Sequence, residues 1–235
     1  MARMARMDRP IFDEAQAFFA QLEAENTREA WARRRTLYDT GIRPVFAAVC
    51  AALTTFSDWR IYRPHNDVRF RADSPPYKTF IGAVSERPDG VGAFLRVGSL
   101  GLLVATGLPF PAADQLAAFR AAVADDASGP ALIAVISALT VRGMMIRPGR
   151  AQPLKGVPRG YPADHPRADL LRWKGIEVNH RVRRPAWADV PSASAGIDDL
   201  LREPAALHEW LARYVGASAL TAEDRFGPRR GTGAR

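Results

Sequence analysis

An α+β fold, a single domain with helices at both ends and a central mixed or antiparallel sheet, is what this chain of 235 residues predicts. Three observations carry that expectation. From Ile11 to Phe56, apolar side chains recur at helical spacing. From Arg60 to Thr106 the pattern changes to short runs bounded by glycine and proline. Helical spacing returns near the end, on Leu207, Trp210, Leu211 and Tyr214. Helices flanking a run of strands, rather than alternating with each, argue against a doubly wound parallel sheet.

The elements follow in order. Ile11, Phe12, Ala15, Phe18, Phe19 and Leu22 form one apolar stripe. Asn26 and Thr27 break it and offer a cap for a second helix, which holds Trp31, Leu37 and Tyr38 and should end at Thr40-Gly41. Ile42, Val45, Phe46, Val49 and Leu53 mark a third, with Pro44 in its first turn and Cys50 on its buried side. Strands are expected at 60–63, 79–85, 92–97 and 100–106, the last two joined as a hairpin across Gly98-Ser99. Pro111 and Pro130 open two helices, and 144–146 reads as a strand. A Pro- and Gly-rich loop spans 148–162, and Asp164 and Pro166 should open a short helix reaching Trp173. Ile176, Val178, His180 and Val182 alternate with polar residues, the pattern of a half-buried strand. Two helices close the fold, with Gly216 as the stop. The expected organisation is a flexible tail over 1–10, one domain over 11–216 and a flexible basic tail over 217–235.

Composition narrows the function. With 47% hydrophobic residues the chain is no disordered segment. Its longest apolar run, Val45 to Leu53, is far shorter than the roughly 20 residues a membrane span needs. One cysteine allows neither an internal disulfide nor a cysteine metal cluster. The four histidines show no metal spacing, and no metal or nucleotide cofactor motif is present. A cytoplasmic protein of bacterial type, with no membrane partner, is the expectation.

The net charge is +8, and 30 of the 33 basic residues are arginine. Joint enrichment in Ala, Arg, Gly and Pro is also what a GC-rich coding bias produces. The charge is local, however. Residues 142–184 hold eleven Arg or Lys against Asp164, Asp169 and Glu177.

Two segments combine cations with other chemistry. The first runs from Arg60 to Lys78 and contains Arg63, Asp67, Arg69 and Tyr77. Asp67 and Arg69 share a face if the chain is extended there. Such Arg–Asp pairs orient guanidinium forks toward a phosphate or carboxylate, or else simply tie a loop to the sheet. The second holds Lys155, Arg159, Tyr161, Asp164, His165 and Arg167. Its loop enters a helix, whose free amides would assist an anion. His165 suits general acid–base work, and Asp164 suits either a helix cap or an orienting partner.

In this order, and after Asn26, Arg28, Glu29 and Tyr38, the two segments resemble the bacterial family known as domain of unknown function 2461. Arg60, Arg63, Asp67, Arg69, Phe70, Asp73, Pro76, Tyr77 and Lys78 match its first motif. Lys155, Pro158, Arg159, Gly160, Tyr161, Asp164, His165, Pro166 and Lys174 match its second. The chain departs from the pattern in three places: Pro64-His65-Asn66 inserts before Asp67, Ser74 replaces a usual lysine, and Ala30-Trp31 shifts an aromatic by one. The resemblance implies a shared fold and shared site positions but no reaction.

The expected function is therefore binding, with or without turnover, of a small molecule bearing phosphate or carboxylate, by residues 60–78 and 154–167. Arg60, Arg69, Lys78, Lys155, Arg159, Tyr161, Asp164 and Arg167 would hold the ligand, and Asp67, Tyr77 and His165 would carry any proton transfer. Nucleic-acid binding and a non-catalytic scaffold built on an internal ion-pair network are the competing readings.

Overall fold

The computed structural model describes residues 10–66 and 75–220. Asp67, Arg69, Phe70, Asp73 and Ser74, and most of both expected tails, lie outside the described residues. The fold is α+β, with a six-stranded antiparallel sheet in the order β1-β2-β3-β4-β6-β5. The strands are β1 (Arg60–Ile61), β2 (Phe80–Glu86), β3 (Gly92–Gly98), β4 (Gly101–Leu108), β5 (Met145–Arg147) and β6 (Ile176–Val182). The chain packs as two compact units, one of residues 1–86, 93–105 and 179–203, the other of 87–92, 106–178 and 204–235.

The first unit is built on helices α1 (Asp13–Ala24), α2 (Arg28–Leu37), α3 (Arg43–Ala52) and α7 (Val190–Arg202). The α1 stripe buries Ala15, Phe18, Phe19 and Leu22, as its spacing requires. Thr27 caps α2, its hydroxyl accepting from the Ala30 amide at 3.0 Å. The expected stop at Thr40-Gly41 is not a stop. Tyr38–Ile42 forms a π-helical turn that carries α2 directly into α3. Tyr38 and Ile42 are buried in that turn, so packing of these side chains holds a helix that Gly41 would otherwise end. Asp198 of α7 ties the end of α3 to the unit. Its carboxylate accepts from the Thr54 amide (2.9 Å), the Thr54 hydroxyl (2.7 Å) and the Thr55 amide (3.0 Å). Burial opposes its ionisation, but these bonds prevail and hold the carboxyl below the usual range. The β3–β4 hairpin forms as expected, but Gly98 still belongs to β3 and the turn is made by Ser99-Leu100, one residue later than Gly98-Ser99.

The second unit holds α4 (Ala113–Ala124), α5 (Ser128–Val141), α6 (Ala168–Leu171) and α8 (Ala205–Tyr214). Phe119, Val123, Leu132, Leu207 and Trp210 form much of its core. The Trp210 indole donates to the Ser128 carbonyl at 2.9 Å, and its ring meets Phe119 edge-on at 5.9 Å. Strand β6 departs from strict alternation, for Glu177 and Asn179 are buried as well as Ile176 and Val178. The strand lies inside the sheet, with β4 and β5 as neighbours, and both its faces are covered there. Arg150 supplies Glu177 with a partner at 2.8 Å. The first residues of the expected C-terminal tail are docked. The Ser218 hydroxyl and Ala219 amide donate to Asp114 at 2.9 and 2.7 Å.

Candidate functional site

The described part of the first segment forms a short antiparallel arm. β1 pairs with β2, Arg60 opposite Val84, and the Tyr62 amide continues the ladder to the Gly82 carbonyl at 2.8 Å. Beyond it, the inserted Pro64-His65-Asn66 pairs with the motif's end. The Asn66 amide donates to the Pro76 carbonyl at 2.9 Å and the Lys78 amide to the Pro64 carbonyl at 2.7 Å. The insertion thus gives 75–78 a strand partner. The Lys78 ammonium donates to the His65 carbonyl. Arg60 and Arg63 are exposed.

Tyr77, a candidate for proton transfer, is 7% exposed. Its ring stacks on Trp31 at 4.5 Å with an interplanar angle of 10°. Trp31 also meets Tyr38 at 5.0 Å, and the His65 ring lies 5.0 Å from Tyr77. The Asn26 side chain copies a strand edge against Tyr77, its amide nitrogen donating to the Tyr77 carbonyl at 2.9 Å and its oxygen accepting the Tyr77 amide at 3.1 Å. Asn26, Trp31, Tyr38 and Tyr77 are therefore one aromatic-and-amide cluster that fixes the start of α2 to the motif strand. Burial raises the Tyr38 phenol above its ordinary pKa, opposed by the nearby Arg43 guanidinium.

The second segment lies in the other unit and is organised by Arg167 rather than by a helix N-terminus. The expected helix from Asp164 starts only at Ala168 and has four residues. His165 takes the role expected of Asp164. Its Nδ1 accepts from the Arg167 amide at 3.0 Å and its carbonyl accepts the Ala168 amide at 2.8 Å. Two amides at the turn into α6 are thereby used by protein groups, which removes the expected helix-terminus contribution to an anion site. Asp164 is exposed.

Arg167, expected to bind ligand, is 7% exposed. It donates to the Val123 and Ala124 carbonyls, both at 2.6 Å, and to Asp126 at 2.7 Å. A cation at the end of α4 neutralises carbonyls that the helix leaves open. Gly129 makes the room, since a Cβ there would lie 2.5 Å from Arg167 Nε. Arg167 thus pins the loop to α4. At the other end the Leu154 amide donates to the Arg172 carbonyl at 2.9 Å. Between these anchors Lys155 and Arg159 are exposed, and Tyr161 is half-buried. Neither cation has a carboxylate within ion-pair reach among the described residues.

A buried histidine lies outside both motifs. His208 of α8 is 6% exposed, and its Nε2 lies 3.0 Å from the Thr106 hydroxyl. Burial, with help from nearby Arg87 and against Asp89, pushes its pKa down to about 4. Its position beside Leu207 on an apolar helix face was the available signal. Among the described residues, no group of three or more His, Cys, Asp or Glu is placed to hold a metal, and no single helix is long and apolar enough to cross a membrane.

Fold and motif segments together define an α+β protein marked by two cation-rich stretches. The chain belongs to the family of conserved hypothetical proteins designated DUF2461, whose model matches residues 14–210. No curated protein and no solved structure matches it.

Proposed function

We propose that this protein binds a small molecule carrying a phosphate or carboxylate, in the cytoplasm of a bacterial cell, and that Lys155 and Arg159 hold the anion. The observation that supports this reading is the state of the 154–167 loop. Its backbone is fixed at one end by Leu154 and at the other by His165 and buried Arg167, while the two cations between stand exposed and unpaired among the described residues. Cations carried on a fixed backbone lose less conformational freedom on binding than cations on a mobile one. Arg159 contributes a planar fork suited to bidentate contact, and Lys155 a point charge. Tyr161 and His165 stand in the same loop and supply a phenol and an imidazole to a bound ligand that undergoes proton transfer.

Calorimetric titration of the full chain with a panel of nucleotides and phosphorylated metabolites tests the reading. At least one compound should bind, and Lys155→Ala/Arg159→Ala should weaken it at least tenfold, about 1.4 kcal/mol. Equal affinity in parent and variant across the panel would remove the basis of the proposal.

A further inference from the structure

A second cationic site lies wholly within the first unit and shares no residue with either motif. A cavity of about 340 Å³ opens beside the β3–β4 hairpin, and Arg96, Arg181, Arg183 and Arg184 all line it. Gln16 of α1 also reaches it. The hairpin backbone makes this convergence possible. Gly101 has φ +100°, and a Cβ there would lie 2.3 Å from the Val182 carbonyl oxygen and 2.4 Å from that of Arg183. Only glycine lets β4 begin so close to the end of β6. That approach sets the arginines of β6 and the chain after it beside Arg96 of β3.

Three features point to a ligand. Arg181, Arg183 and Arg184 have no carboxylate partner among the described residues. The Arg96 guanidinium is held over the Phe80 ring, 4.5 Å from its centre. Glu23 of α1, the carboxylate that reaches the hairpin, accepts from the Ser99 hydroxyl at 2.7 Å and is not part of the lining. Like charges gathered around one concavity repel, and a bound anion relieves that repulsion. The Gln16 side-chain nitrogen is buried and has no hydrogen-bond partner among the described residues, a donor that an entering oxygen would satisfy. Leu100, Leu102 and Leu103 give the lining an apolar side. Leu102 is buried, and Leu100 stands 77% exposed at the rim.

We infer that this cavity binds a small phosphate monoester, its phosphate among the four arginines and its organic body against Leu100 and Leu102. One carboxylate offers two oxygens and one charge. A phosphate monoester offers three oxygens and close to two charges near neutral pH, which occupies several guanidinium forks at once. The volume falls in the range, roughly 300–1,000 Å³, of small-molecule pockets. The site stands independently of the 154–167 loop.

Titration of the full chain with inorganic phosphate, phenyl phosphate, adenosine monophosphate and benzoate tests the inference. At least one of the two esters should bind at least tenfold tighter than inorganic phosphate and than benzoate, and its affinity should fall as salt rises. Arg181→Ala/Arg183→Ala should weaken that ester at least tenfold, and should do so equally in a Lys155→Ala/Arg159→Ala background, where the loop site is silenced. Leu100→Glu, a change at an exposed rim position, keeps the test independent of arginine packing and should weaken the ester similarly. Melting temperatures within a few degrees of the parent certify the fold of each variant. Absence of ester binding, benzoate binding as tightly as phenyl phosphate, or an ester affinity indifferent to both the arginine and Leu100 changes would overturn the inference. Loss of binding in the Lys155/Arg159 variant alone would place the ester on the loop and overturn it as well.

Discussion

His208 shows what burial does to a titratable side chain. In the unfolded chain the imidazole gains a proton near pH 6.5, and in the fold only near about 4. Between those values the unfolded state holds more protons, so acid favours unfolding. The contribution is fully present above pH 6.5 and is lost as the pH falls toward 4. That separation corresponds to roughly 3 kcal/mol at the acid limit. Denaturant titrations from pH 4 to 7 should show stability rising with pH in the parent, and His208→Gln should flatten that slope by about one proton. Arg167 is the complementary case. Its place in the second cation-rich segment suggests a ligand, but its hydrogen bonds go to carbonyls of α4. Sequence spacing shows which residues travel together. It does not show whether a guanidinium faces solvent or a helix end.

At the scale of elements, most helices and strands were legible because period and caps agreed. Thr27 and Pro44 act where the sequence places them, and the β3–β4 turn falls one residue beyond its expected place. The misreadings share a cause. The continuous passage from α2 to α3, the late start of α6 and the double-sided burial of β6 are all decided by packing partners distant in sequence. Asp198 is such a long-range contact. Asp198→Ala would leave the Thr54 and Thr55 amides without their acceptor. It should cost about 2–4 kcal/mol in chemical denaturation, with Asp198→Asn costing less. The candidate site was legible to the same degree. Exposed Lys155 and Arg159 were readable from the motif. Arg181, Arg183 and Arg184 looked like the polar side of a strand and its exit, because nothing local announces the hairpin lying against them.

For the molecule as a whole, the single cysteine is a built-in reporter. Cys50 is 4% exposed on α3, and burial pushes its thiol up to about 12. The thiolate, which reacts, is therefore scarce at neutral pH. Under native conditions a disulfide reagent should label the protein at the rate at which α3 opens. In rising denaturant, labelling should follow the loss of helical circular dichroism. Rapid labelling of the native protein would contradict the buried position of Cys50.

The first unit is assembled from three separated stretches, and its last strand residues and α7 arrive only after residues 106–178 have been made. At a synthesis rate of about 5–20 residues per second, those 73 residues take roughly 4–15 s. For that interval the apolar faces of α1 and α3 have left the ribosome while the carboxylate of Asp198, which secures the end of α3, does not yet exist. The discontinuity of the unit makes a nascent chain whose first helices must wait for their last packing partner to be synthesised.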